Sequence, residues 1–238
     1  MRRTASSPLA ASAGTAPFVS ILKPLCGLDD DLQRNLESFA ALRGIDYEVI
    51  CSVAHANDPA LEVLDRVRRA YPEAPFRLVI GGDPRLETTN RKVARLVAAE
   101  REARGDVIVI SDSNVRVESD DIARTLNAFG DPAVGCVSNL FTGDGAASLG
   151  AKIESLHLLS FVIPGNVVAA FAGVPCVVGK SMAVTRDALR AIGGFKAFTS
   201  VLAEDQAIGL AIQAAGYRVA LSPEVVRNVV IDRTLARA

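Results

Sequence analysis

Three acidic residues stand where a carboxylate could work on a ligand: Asp58, Asp112 and Asp205. Asp112 follows the apolar run Asp106–Ile110 (DVIVI) and Ser111, and opens into Ser113-Asn114. An acid just past the carboxyl end of a buried parallel strand sits at the mouth of the sheet, rigidly held yet open to a ligand. There it could hold Mg2+, which takes one or two protein carboxylates and completes its shell with water and substrate phosphates. Such an ion can neutralise a departing diphosphate. The plainer role for Asp112 is to cap its own turn through backbone contacts. Asp58 precedes Pro59, the pattern of a helix N-cap, and a helix N-terminus also favours phosphate. Glu204-Asp205 opens a helix whose apolar face holds Ile208, Ala211 and Ile212. These acids suit the helix dipole, and Asp205 could equally serve as the general base for an attacking hydroxyl.

The elements that must position these acids alternate. Phe18–Lys23 (FVSILK) is a continuous apolar run ending at Pro24, as expected of a buried parallel strand. Asp29-Asp30-Asp31 opens a helix with Leu32, Leu36, Phe39 and Ala40 at helical spacing. Strands are predicted over Tyr47–Val53, Phe76–Ile80 and Asp106–Ile110, with helices starting at Asp58-Pro59 and running from about Asn90 to Ala103. Gly81-Gly82-Asp83-Pro84 reads as a turn, and Gly105 ends the third helix. This alternation makes a mainly parallel sheet covered by helices on both faces, so the fold class is α/β. The second half predicts a strand at Val134–Ser138, a helix at Gly150–Phe161 and a strand pair or kinked strand at Cys176–Val184. A short helix at Arg186–Ile192, a helix at Glu204–Ala215 and a last strand at Tyr217–Leu221 follow. With no internal repeat and no linker, residues 18–238 form one domain behind a disordered leader, residues 1–17.

Composition narrows the chemistry. The chain has 238 residues, half of them apolar, with 26 Lys and Arg against 27 Asp and Glu. That balance argues against nucleic acid as a partner, which calls for a basic face. Cys26, Cys51, Cys136 and Cys176 are widely spaced and read as buried reduced thiols. A zinc site calls for clustered Cys and His, and the two histidines, His55 and His157, lie far apart in sequence. Gly173–Ser181 (GVPCVVGKS) is no P-loop, because five residues instead of four separate its glycines. The first strand is not followed by G-x-G-x-x-G, nor does a G-x-S-x-G elbow occur. Ser155–Gly179 carries no Asp, Glu, Lys or Arg and is long enough to span a bilayer. Pro164-Gly165-Asn166 and Gly173-Val174-Pro175 break it, so the expectation is a helix, a turn and a buried or membrane-grazing segment.

As an ordered set, these segments resemble the ceramide glucosyltransferases and the related bacterial hopanoid glycosyltransferases. Val19–Gly27 (VSILKPLCG) resembles the family's opening strand and its Lys-Pro-Leu-x-Gly turn, and Asn57-Asp58-Pro59-Ala60 its Asp-Asp-Pro-Ala. Ile80-Gly81-Gly82 and Asn90-Arg91-Lys92 resemble its Gly-Gly and Asn-x-Lys segment. Ile110–Val117 (ISDSNVRV) is similar to its Cys-Asp-Ser-Gly-Ile-Arg-Val. Val178–Met182 (VGKSM) resembles its Thr-Gly-Met-Ser-Cys, and Ala203-Glu204-Asp205 its Ala-Glu-Asp.

The resemblance implies a GT-A nucleotide-sugar fold and an inverting transfer of glucose or N-acetylglucosamine from a UDP-sugar to a lipid alcohol, ceramide or hopanoid in type. It implies Asp205 as general base and Asp58, Asn90, Lys92, Asp112, Gly179 and Glu204 around the donor, with Asp112 holding Mg2+ or Mn2+. It also implies a membrane surface as partner, at the cytoplasmic face. Three departures stand out. The metal motif reads Asp-x-Asn, the family's later Gln/Arg-x-x-Arg-Trp motif is missing, and so are its flanking transmembrane helices. A C-terminally truncated domain is therefore expected, and the alternative function is a non-catalytic remnant that binds the nucleotide sugar.

Overall fold

In the computed structural model, which describes residues 16–82 and 88–232, apolar strands form the centre of one sheet. β1 (Val19–Pro24), β2 (Tyr47–Val53), β3 (Phe76–Ile80) and β4 (Val107–Ser111) are mutually parallel, as their unbroken hydrophobic runs predict. Their residues alternate between two cores. Val19, Ile21, Val49, Cys51, Val107 and Val109 face one, packed by α1 (Leu32–Ala40) and α2 (Ala60–Ala70). Leu22, Ile50, Ile108 and Ile110 face the other, packed by α3 (Arg91–Glu102).

Beyond β4 and the two-residue β5 (Val115–Arg116) come α4 (Asp121–Leu126) and β6 (Val134–Asp144). A long helical run follows, then β7 (Ser181–Thr185), α7 (Arg186–Ala191), α8 (Glu204–Ala214) and β8 (Arg218–Val229). The sheet order is β3-β2-β1-β4-β7-β6-β8-β5. β7 runs antiparallel to both β4 and β6, so parallel pairing is interrupted there, while β6 and β8 pair in parallel. Ser111 lies opposite Ser181, which sets the end of β4 against the start of β7.

Two strands exceed their expected length, because β6 and β8 extend each other through a register shift between Asn139 and Leu140. Neither extension shows a simple alternation in the sequence, since a bulge changes the face each side chain takes. The segment expected as a strand pair or a kinked strand at Cys176–Val184 is a single strand, Ser181–Thr185. Of the cysteines, Cys51 and Cys136 are buried as expected, but Cys26 is exposed in the loop after β1 and Cys176 is half-buried.

The expected turn at Pro164 is absent. α5 (Leu149–His157), a π-helical turn (Leu158–Val162) and α6 (Ile163–Phe171) form one helical run of 23 residues. Proline lacks an N–H and clashes with the carbonyl four residues back in a regular helix. The wider turn immediately before Pro164 displaces those carbonyls, and the helix continues. Ser148 caps its start by accepting from the Ala151 N–H. The expected leader lies mostly outside the described residues, as do Asp83 and Pro84 of the predicted turn.

Candidate active site at the end of the fourth strand

The site grows from the carboxyl ends of the parallel strands. β4 delivers Asp112, and the Asp112 N–H donates to the Lys180 carbonyl across the gap to β7 (3.1 Å). Beneath it, β1 buries Lys23 completely. The Lys23 ammonium donates to the Asp112 carbonyl at 2.9 Å and to Ser111 Oγ at 3.3 Å, and lies 3.9 Å from the centre of the Phe39 ring. Burial pulls its pKa down to about 7, against the opposing pull of Cys51, Asp112 and Asp29. Lys23 thus clamps the backbone of the Asp112 turn from below.

Above that clamp, Lys92 joins most of the expected residues into one network. Its ammonium lies 2.8 Å from Asp112 Oδ1, 3.1 Å from Glu204 Oε1 and 3.2 Å from the Gly179 carbonyl oxygen. Burial works against the charge, and Asp112 and Glu204 together outweigh it, so the Lys92 pKa is raised above the usual lysine value. Asp205 enters through Gly179, whose N–H donates to Asp205 Oδ2 at 2.8 Å, while the Gln206 N–H donates to Oδ1 at 2.8 Å. Each oxygen keeps a further lone pair for a substrate proton.

Asn90 caps α3, accepting from the N–H groups of Lys92 (3.0 Å) and Val93 (3.2 Å). Its amide donates to the Val201 carbonyl (2.8 Å) and to Glu204 Oε2 (2.9 Å). With its donors and acceptors engaged inside the protein, Asn90 holds Lys92 and Glu204 in place and is not aimed at a ligand. Asp58 also lies past a strand end, but its Oδ1 accepts from Gly27 (3.0 Å) and Ala60 (2.9 Å). It caps α2 and fastens the loop after β1, apart from the Lys92 network.

Sequence reasoning left Lys180 and Lys23 without a role. Lys180 stands 3.5 Å from Asp112 Oδ2 and 3.4 Å from Asn114 Oδ1. Asn114 and Lys180 are also positions where the segments quoted above depart from the family pattern, and here they touch. For Lys23, the available signal was a cation closing an otherwise apolar strand.

Both oxygens of Asp112 face ammonium groups, at 2.8 and 3.5 Å. A further positive charge about 4 Å from each ammonium would meet roughly 4 kcal/mol of repulsion per unit pair at an effective dielectric constant of about 20. As arranged, the residues do not fit a resident Mg2+ or Mn2+.

A half-parallel sheet with Asp112, Glu204 and Asp205 gathered at the β4 mouth has the GT-A architecture. Among solved structures, the chain is similar to a mannosyltransferase from Pyrobaculum calidifontis in complex with GDP-Man and Mn2+ (TM-score 0.68, 22% identity, 90% of this chain and 57% of that one). It is also similar to GalNAc-T7 with UDP, GalNAc and Mn2+ (TM-score 0.63, 15% identity, 90% and 43%).

Across residues 1–238 the sequence matches Glycosyl transferase family 21, and the chain belongs to that family. It is 28% identical over 211 residues to Ceramide glucosyltransferase 1 of Caenorhabditis elegans, covering 87% of this chain and 44% of that protein. Ceramide glucosyltransferase 3 of the same organism is 29% identical over 213 residues, with 87% and 45% covered. The chain spans a little under half the length of these relatives.

Proposed function

We propose that this domain transfers a hexosyl group from a UDP-sugar, UDP-glucose or UDP-N-acetylglucosamine, to the hydroxyl of a ceramide- or hopanoid-type lipid. The observation that carries the reading is the single network joining Asp112, Lys92, Glu204, Gly179 and Asp205 at the carboxyl end of β4. In this reading the acceptor oxygen attacks the anomeric carbon as its bond to the diphosphate breaks, with inversion. The electron pair of the broken bond leaves with the diphosphate, and the hydroxyl proton passes to the Asp205 carboxylate. The chain's own part is to position the two reactants and to meet charge on the leaving group.

The helical run supports a lipid acceptor and a membrane surface. Its most apolar 18-residue stretch has a mean hydropathy of 1.4 and no buried residue. Leu149, Ile153, Leu156, Leu159, Phe161, Val168 and Phe171 are exposed. Both ends are nonetheless tied to the domain. The N–H groups of Ala147 and Ser148 donate to the Ile231 carbonyl, and Gln213 Nε2 donates to the Gly173 carbonyl at 3.3 Å. In the middle, Leu158 and Val162 pack on the core. A run of about 34 Å held in this way lies along the domain and grazes the cytoplasmic face of a membrane; it does not cross it. From its end the chain passes through Pro175, whose carbonyl accepts from Gln206, to Gly179 and the site.

The test is transfer from UDP-glucose or UDP-N-acetylglucosamine to ceramide or hopanoid alcohol in vesicles, read by mass spectrometry, with thermal shift reporting donor binding. Asp205→Asn should keep the donor-induced shift and lose transfer by about a hundredfold or more. Undiminished transfer by that variant would remove Asp205 from its role. Donor binding without turnover by the unaltered chain would select the non-catalytic reading.

A further inference from the structure

Lys92 and Lys180 both face Asp112, but they are held very differently. Lys92 is locked by three acceptors at 2.8 to 3.2 Å. Lys180 rests at 3.5 and 3.4 Å from its two acceptors with 29% of its side chain exposed. Its backbone is fixed at the head of β7, where its carbonyl accepts from the Asp112 N–H. The ammonium therefore has a rigid base, a flexible stem and a position over the mouth of β4.

We propose that Lys180 is the cation that meets the donor's diphosphate, so that a nucleoside diphosphate binds this domain without a divalent metal. This rests on the nucleotide-sugar reading and deepens it. Three features support the exchange. A partly exposed, loosely held ion pair contributes only about 0–1 kcal/mol, so turning Lys180 from Asp112 onto a phosphate costs little. A charge-assisted bond to phosphate is the stronger contact. Asp112 is not stranded by the move, because Lys92 stays at Oδ1 and Lys23 stays on its carbonyl. The other acids already have partners. Glu204 has Lys92 and Asn90, and Asp205 has two backbone N–H groups at the start of α8. With Lys92 still 2.8 Å from Oδ1, a dication at Asp112 would have to displace that ammonium or sit beside its charge.

Calorimetric titration of the 238-residue chain with UDP, once in EDTA and once in MnCl2, tests this. The expected result is a Kd in EDTA within about threefold of that in MnCl2. Lys180→Met should weaken binding in EDTA by about tenfold or more, and Lys180→Arg should restore most of it. An unaltered melting temperature for Lys180→Met would show that its loss is not unfolding. Binding that requires Mn2+ overturns the inference and leaves the nucleotide-sugar reading standing. Binding in EDTA that Lys180→Met does not weaken removes Lys180 from the role. No binding in either medium overturns both.

Discussion

Gly179 has no side chain, and the site is built on that fact. A Cβ there would lie 2.9 Å from Lys92 Nζ and 3.3 Å from Asp205 Oδ2, inside the network that its own N–H and carbonyl help to close. Lysine is normally flexible enough to yield, but this ammonium is held by Asp112 and Glu204. Gly179→Ala should therefore push Lys92 off its partners and cut donor affinity by about tenfold, with little change in melting temperature. Titration with UDP and a thermal melt would check both halves, and unchanged affinity would show that the packing tolerates the methyl group. Three of the expected site residues, Asp112, Glu204 and Asp205, were legible as charged groups next to element ends, while Lys92 came into view only through the resemblance to a family. Asn90 was legible too, but its position at a helix start did not say that its amide would turn inward to Glu204.

The helical run is the element whose form most departs from its sequence. Pro164 and Gly165 read as a break, yet a π-helical turn carries the helix past them. Ser155 settles onto β6 where Gly143 leaves room, since a Cβ at Gly143 would come within 2.3 Å of Ser155 Oγ. The apolar side left outside includes Phe161 at 70% exposure and Phe171 at 90%. Replacing both by Asp should weaken sedimentation with lipid vesicles by at least about a hundredfold, given roughly 1.5–3 kcal/mol for each buried phenylalanine. The fold should be unaffected, because neither ring is part of the core. Vesicle binding that survives the double change would mean that the run serves something other than a membrane.

At the scale of the whole molecule, the end of the sheet opposite the site is held by another buried charge. Glu48 on β2 is 1% exposed and accepts from Ser20 Oγ on β1, from Arg77 on β3 and from Arg104 before β4. Burial raises its pKa, and the bonds from Arg77, Arg104 and Ser20 overcome this, holding it at about 2. A folded pKa below the unfolded value of 4.5 means that the stabilisation is complete above pH 4.5 and fades as pH falls toward 2. Glu48→Gln should therefore unfold at a lower temperature than the unaltered chain at pH 7. The gap should close during acid titration between about pH 4.5 and 2, and a gap independent of pH would contradict the linkage.

The strands β1 to β4, the helices between them and the acids past the strand ends could all be read from the chain. Hydrophobic runs, helical spacing and turn residues act over a few positions, and that is the range within which sequence order equals spatial order. What tertiary structure decided is who meets whom at the rim. It set Asp58 against Gly27, Lys92 between Asp112 and Glu204, and Lys180 opposite the second oxygen of Asp112. Those partners come from different strands and helices, and their distances follow from sheet order and register, which no local pattern in the sequence encodes.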